Sequence, residues 1–108
     1  MIIVEIQPEP HVSYSLNGTE LTIGDIIVID LEEEQEDSQN IIDICEEDGE
    51  LIVGLGNAYV ATIVIPAAQY ELVDTGEVDE YGNPIYNYVK KPLDTETVTL
   101  YLWQYPIQ

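Results

Sequence analysis

The sequence predicts an all-β fold, a small antiparallel sandwich or open barrel built from hairpins, with little or no helix. Three observations predict it. Period-two alternation of apolar and polar residues recurs along the chain, while helical periodicity is scarce. The apolar residues are dominated by Ile, Val and Tyr, with no Phe at all, a set that favours strands. The dipeptides Asn17-Gly18 and Asp48-Gly49 each separate two apolar runs, the strongest short-range hairpin signal. The 108 residues read as one domain, 1–108, because two cores would each be too small to stand alone. An apolar fraction of 45% is enough for a packed core. It also argues against global disorder, which requires low hydrophobicity as well as high charge.

Residues 2–6 read as a first strand, stopped by Pro8 and Pro10. Around Asn17-Gly18, a two-residue turn would pair Leu16 with Thr19, Tyr14 with Leu21 and Val12 with Ile23. One face of that hairpin is then mostly apolar. Residues 26–31 form a nearly continuous apolar run, the pattern of a central strand buried on both faces. Residues 32–40 suit one helical turn or an exposed loop. Around Asp48-Gly49 the pairing is Ile44 with Val53, Ile42 with Leu55, and Cys45 with Ile52. Residues 58–65 are a strongly apolar strand closed by Pro66. Residues 70–73 and 85–89 form a third hairpin with a long polar connection, 74–84. Residues 97–103 alternate as a terminal strand.

The charge bounds the function. There are 22 acidic residues against Lys90 and Lys91, a formal net of −20. Such a body repels nucleic acid and anionic membranes, so neither is expected as a direct partner. Cationic partners are expected instead: metal ions, basic peptides or the basic groove of a nucleic-acid-binding protein. Cys45 is the single cysteine, so no intrachain disulfide forms. The apolar start is interrupted by Glu5 and Pro8 with no basic region before it, which does not match a signal peptide. The cytoplasm, or a particle assembled in one, is the expected location.

Catalytic chemistry is poorly provided for. His11 is the only histidine and reads as an exposed structural residue in a Pro-flanked lead-in. Cys45 stands beside acids, which disfavours a thiolate, and reads as a small, partly buried hydrophobe. Gly54-Leu55-Gly56 lacks the third glycine and helix of a dinucleotide fingerprint and reads as a strand bend or bulge. No EF-hand spacing fits the acids. The expectation is a non-enzyme with no cofactor and no dedicated metal site.

Two features remain. Eleven acids fall within residues 30–50. The partner-binding candidates among them are Glu32, Glu33, Glu34, Glu36, Asp37, Glu46, Glu47, Asp48 and Glu50. If the 32–37 loop closes at the same end as the Asp48-Gly49 hairpin tip, they form one dense negative patch that approximates the charge density of a duplex. Against this stands the ordinary role of charge runs as solvated, solubilising loops. The second feature is aromatic: Tyr81, Tyr86, Tyr88, Tyr101, Trp103 and Tyr105 concentrate toward the C-terminus, either as interface anchors or as core.

Ile65-Pro66-Ala67, the loop Asp79-Glu80-Tyr81-Gly82-Asn83-Pro84, and Pro92-Leu93-Asp94 leading into residues 98–103 resemble the C-terminal part of small uncharacterised phage and prophage proteins of Firmicutes. The resemblance covers about the last third and implies a viral context without an activity, which makes the expected location a bacterial host cytoplasm or a phage particle. Two functions fit. One is a phage-type acidic inhibitor that occupies the basic groove of a host nucleic-acid-binding defence protein as a nucleic-acid mimic. The other is a non-enzymatic structural or assembly β-module of a phage particle, pairing with copies of itself or with other virion proteins.

The charge leads to one measurement under either function. Self-repulsion weakens as the Debye length shrinks from about 30 Å at 0.01 M salt to about 8 Å at 0.15 M. The melting temperature is therefore expected to rise over that range. A melting temperature that fell would contradict the self-repelling picture.

Overall fold

The computed structural model describes residues 1–106. Three strands of the middle and end of the chain build the centre. β5 (Asn40–Glu47), β7 (Ala58–Ile65) and β10 (Thr99–Leu102) are adjacent in a five-stranded sheet. β1 (Ile2–Glu5) and β6 (Glu50–Val53) lie at its edges, in the order β1-β10-β7-β5-β6. β7 is central because it is the most apolar strand-length run and its neighbours can bury it. Register then aligns Leu100, Ile63 and Ile42 in one row across the sheet, and Leu102, Ala61 and Ile44 in the next.

A second, three-stranded sheet consists of β2 (Tyr14–Asn17), β3 (Glu20–Ile23) and β4 (Ile27–Asp30). Its Leu21, Ile23 and Ile29 join Val12 and Leu31 in the same buried cluster as Ile44, Ile63, Ile65, Val98 and Leu100. The body is thus a two-layer β-sandwich around one core, in keeping with the all-β expectation; neither sheet closes into a barrel. Cys45 is buried beside this core, and Gly56 packs against its Cβ. α1 (Leu31–Glu34) is a single turn. Asp30 caps it by accepting hydrogen bonds from the backbone N–H groups of Glu32 and Glu33 at 3.1 and 3.3 Å. A 3₁₀ turn, Thr95–Thr97, precedes β10.

The Asp48-Gly49 hairpin has the expected register, Ile44 opposite Val53 and Cys45 opposite Ile52. Both turn residues take positive φ, 52° and 84°, as a type I′ turn needs. β6 ends at Val53, so the outer pair of Ile42 with Leu55 does not form.

Four expectations are corrected. In the first hairpin Leu16 faces Leu21 and Tyr14 faces Ile23, so the loop is Gly18-Thr19 rather than Asn17-Gly18. Gly18 alone takes positive φ, 62°, which matches a turn with glycine first. A shift of two residues leaves every side chain on its expected face. β4 is an edge strand, with Ile26 74% and Val28 58% exposed; its apolar run buries Ile29 and Leu31 but leaves the opposite side open. β1 pairs with β10 in parallel, a departure from an all-antiparallel sheet. The fourth correction concerns the polar connection at 74–84, most of which is strand. β8 (Tyr70–Val78) and β9 (Pro84–Lys90) pair only with each other and form an isolated two-stranded ribbon.

This ribbon gives the molecule its shape. The extents are 68 × 21 × 21 Å and the radius of gyration is 18.7 Å. A compact chain of this length has a radius of about 13 Å. Body and ribbon should therefore respond differently to truncation. Ile63→Ala, at a fully buried row centre, is expected to cost about 2–5 kcal/mol in urea denaturation. Leu72→Ala, on the ribbon, is expected to stay within about 0.5 kcal/mol. Equal losses at the two positions would mean that the ribbon shares the body's core.

Candidate interaction surfaces

The nine acidic candidates fall into two groups. α1 and the loop after it carry Glu32, Glu33, Glu34, Glu36 and Asp37 beside the start of β5, where the Asn40 side chain donates to the Glu34 carbonyl at 2.8 Å. Glu46, Glu47, Asp48 and Glu50 sit at the far end of β5, around the turn into β6. About seven residues of extended strand separate the groups, roughly 23 Å. The 32–37 loop therefore closes at the end opposite the hairpin tip, and the structure does not bring the nine acids into one patch. Within the tip, Glu46 is half-buried and its carboxylate accepts from the Gly49 N–H at 2.7 Å. Glu47, Asp48 and Glu50 are exposed, as are Glu33, Glu34, Glu36 and Asp37.

The aromatic residues also divide. Tyr105 packs against the core, and Trp103 stacks on Tyr59 with centroids 5.1 Å apart. Tyr81, Tyr86 and Tyr88 lie on the ribbon and are exposed, Tyr88 by 76% and Tyr81 by 81%.

The ribbon is a projecting arm. Its root is tied to the acidic loop. The Ala68 N–H donates to the Glu36 carbonyl at 2.8 Å, and the Lys90 ammonium reaches the Glu32 carbonyl at 3.4 Å. The Tyr70 hydroxyl donates to the Asp37 carboxylate at 2.5 Å. That hydrogen bond holds the Tyr70 phenol above its ordinary value of 10.0, with slight desolvation and the Asp37 charge acting in the same direction.

Register sorts the arm's side chains onto two faces. Tyr70, Leu72 and Asp74 lie opposite Lys90, Tyr88 and Tyr86. One face thus carries Tyr70, Leu72, Tyr86 and Tyr88 as a continuous apolar strip. The other carries Val73 and Val89 with Glu71 and Asn87. Between the pairs Asp74–Tyr86 and Val78–Pro84, residues 75–77 of β8 face a single residue of β9. Gly76 takes φ 80° in this bulge and its N–H donates to the Asp74 side chain at 2.9 Å, a local kink that twists the ribbon.

The arm's tip is held by one carboxylate. Asp79 accepts from the backbone N–H groups of Tyr81 at 2.8 Å and Asn83 at 2.9 Å. These bonds, Asn83's foremost, hold the Asp79 carboxyl below its ordinary 3.8 against the opposing effect of desolvation. No signal in the sequence beyond the turn residues themselves marked Asp79 for this role.

A further cluster lies on the body. Glu5, Glu9 and His11 line one cleft with Ile3, Tyr14 and Leu102. The His11 side chain is only 9% exposed, which corrects the reading of an exposed imidazole. The cause is long-range packing: the C-terminal segment closes over the lead-in, with the Tyr105 N–H donating to the Pro10 carbonyl at 2.8 Å. Among the described residues, no helix is long and apolar enough to cross a membrane. No family model, curated protein or solved structure matches the chain.

The tip carries its own prediction. Because the folded Asp79 is depressed, its contribution is fully present above the unfolded value and is lost as pH falls through the folded one. Asp79→Ala should speed amide exchange at Tyr81 and Asn83 near neutral pH, and the difference from the parent should vanish in strong acid. Unchanged exchange at neutral pH would remove Asp79 from that role.

Proposed function

We propose that this protein is a non-enzymatic structural or assembly module, and that its β8–β9 arm docks it onto another protein. The observation that supports this reading is the arm itself. A two-stranded ribbon is at best marginally stable alone in water. This one nevertheless exposes Leu72, Tyr86 and Tyr88 by more than half on a single face. Such a strip is favourable only when a partner covers it, and Tyr is a typical interface anchor. Both long edges of the ribbon also carry unpaired backbone groups, which suits strand addition.

Arm charge bears on the choice of partner. Glu71, Asp74, Glu77, Asp79 and Glu80 lie along it, while Lys90 and Lys91 stand at its root. A second copy would bring the same acids face to face, so a different protein with an apolar groove and a basic rim suits the arm better than self-association. The resemblance of residues 65–103 to phage proteins makes a virion component the natural candidate.

The nucleic-acid mimic is the second reading. It is favoured by the exposure of most of the nine acids and by the absence, among the described residues, of any lysine ion-paired to them. In this reading each group of acids separately occupies part of a basic channel, because the two are about 23 Å apart along β5.

Three baits separate the readings in lysates of phage-producing cells. They are the parent chain, an arm variant (Leu72→Ser, Tyr86→Ser, Tyr88→Ser) and an acid variant (Glu46→Gln, Glu47→Gln, Asp48→Asn, Glu50→Gln). A virion protein captured by the parent and the acid variant, and lost with the arm variant, is the expected result. Capture of a nucleic-acid-binding protein that survives the arm changes but is lost with the acid changes would replace this reading with the mimic.

A further inference from the structure

We propose that Glu5, Glu9 and His11 form a binding site for a divalent transition-metal cation of the zinc type. The site is independent of the arm and of the nine acidic candidates.

The donor set comes first. One ligand atom from each residue lies within 4.8 Å of the others. Two carboxylate oxygens and one imidazole nitrogen match the borderline preference of Zn²⁺ or Co²⁺. Ca²⁺ and Mg²⁺ favour all-oxygen sites. With Zn–N and Zn–O distances of about 2.0–2.1 Å, tetrahedral ligands sit roughly 3.3 Å apart. Closure from 4.8 Å needs only side-chain rotation of Glu5 and Glu9, which are both exposed. Three protein ligands would leave one position for water or a fourth donor.

The histidine supplies the second, independent observation. Its Nε2 lies 2.7 Å from the Gln7 carbonyl oxygen. A carbonyl only accepts, so Nε2 carries the hydrogen. In the neutral ring Nδ1 is then the lone-pair nitrogen. It faces Glu5, but the separation from Oε1 is 3.8 Å, too long for a hydrogen bond. A ring nine-tenths buried therefore directs a nitrogen without a hydrogen-bond partner toward the Glu5 carboxylate, in the cluster that Glu9 completes. Metal-binding histidines commonly donate their other ring N–H to a backbone carbonyl, which fixes tautomer and orientation. Gln7 has that place here.

The backbone that carries the three ligands is already held. Ile6 and Gln7 donate their N–H groups to the Leu102 carbonyl at 2.8 and 3.3 Å. The Gln104 N–H donates to the Gln7 side chain at 2.8 Å, and the Gln104 amide donates to the Glu9 carbonyl at 3.2 Å. Segment 5–11 is thus clamped to the end of β10, and binding orders side chains more than backbone. Two carboxylates compensate the cation's charge, and the chain's net of −20 raises the local cation concentration.

The test is titration of the whole chain with ZnCl₂, and separately with CoCl₂, at pH 8 in 0.15 M NaCl with 5 mM Mg²⁺ present. One equivalent per chain is expected, with Co²⁺ giving the visible absorption of a low-coordinate nitrogen–oxygen site. His11→Ala and Glu9→Gln should each weaken binding at least tenfold. Glu9→Gln changes an exposed side chain and guards against a folding failure at His11. The acid variant at residues 46–50 should bind as the parent does. Binding that is non-saturating, displaced by Mg²⁺, unchanged by both cleft variants, or lost with the acid variant would overturn the site and leave diffuse counterion attraction in its place.

Discussion

Burial of β7 between β5 and β10, under the cover of the three-stranded sheet, is the interaction on which the rest of the structure depends. A chain of charge −20 repels itself from every direction. Cohesion must come from apolar area removed from water, at about 25 cal/mol per Å². Ile63, Ala61, Ile65, Leu100 and Ile44 are fully buried in this layer, and Leu21, Ile23 and Leu31 close it from the other side. Everything charged is displaced to the ends and outer surfaces of that sandwich. The acidic turn α1 and the β5–β6 tip follow directly, since they are the two ends of the strand that flanks β7.

The same division of labour leaves the arm outside the core. Strands β8 and β9 begin and end near the close of β7 and the approach to β10, so their root is fixed by the body. Their length carries them beyond the reach of either sheet. Apolar side chains that would ordinarily be buried are displayed in a row. The body is therefore the scaffold, and the arm is the part whose apolar display the body's core does not account for.

Much of this was legible in the residues. Asp48-Gly49 announced its register because both residues accept positive φ and the flanking alternation agrees with the turn. Asn17-Gly18 carried the same signal, yet only Gly18 takes positive φ, and the turn moves forward by one residue, which shifts the register by two without changing any face. The arm was half visible. Tyr70, Leu72, Tyr86 and Tyr88 alternate as strands, but Gly76, Gly82 and Pro84 read as a long loop. In the structure a bulge absorbs Gly76, and Asp79 gathers the tip. The placement of the acids was not legible, because it depends on which end of β5 meets α1. His11 was misread for a similar reason: residues 102–105, far along the chain, bury it.

The arm's length also has an electrostatic meaning. A nine-residue strand reaches about 30 Å at roughly 3.3 Å per residue. At physiological salt the field of a charge is largely screened beyond about 8 Å. Under the proposed docking role, a partner on the far half of the arm would feel the arm's own few carboxylates and little of the body's charge. In that role the arm would act as a standoff that lets a strongly anionic body be tethered to a surface of either sign. Bodies held on neighbouring arms would keep one another at a distance, so the charge that hinders contact would instead set the spacing of an array.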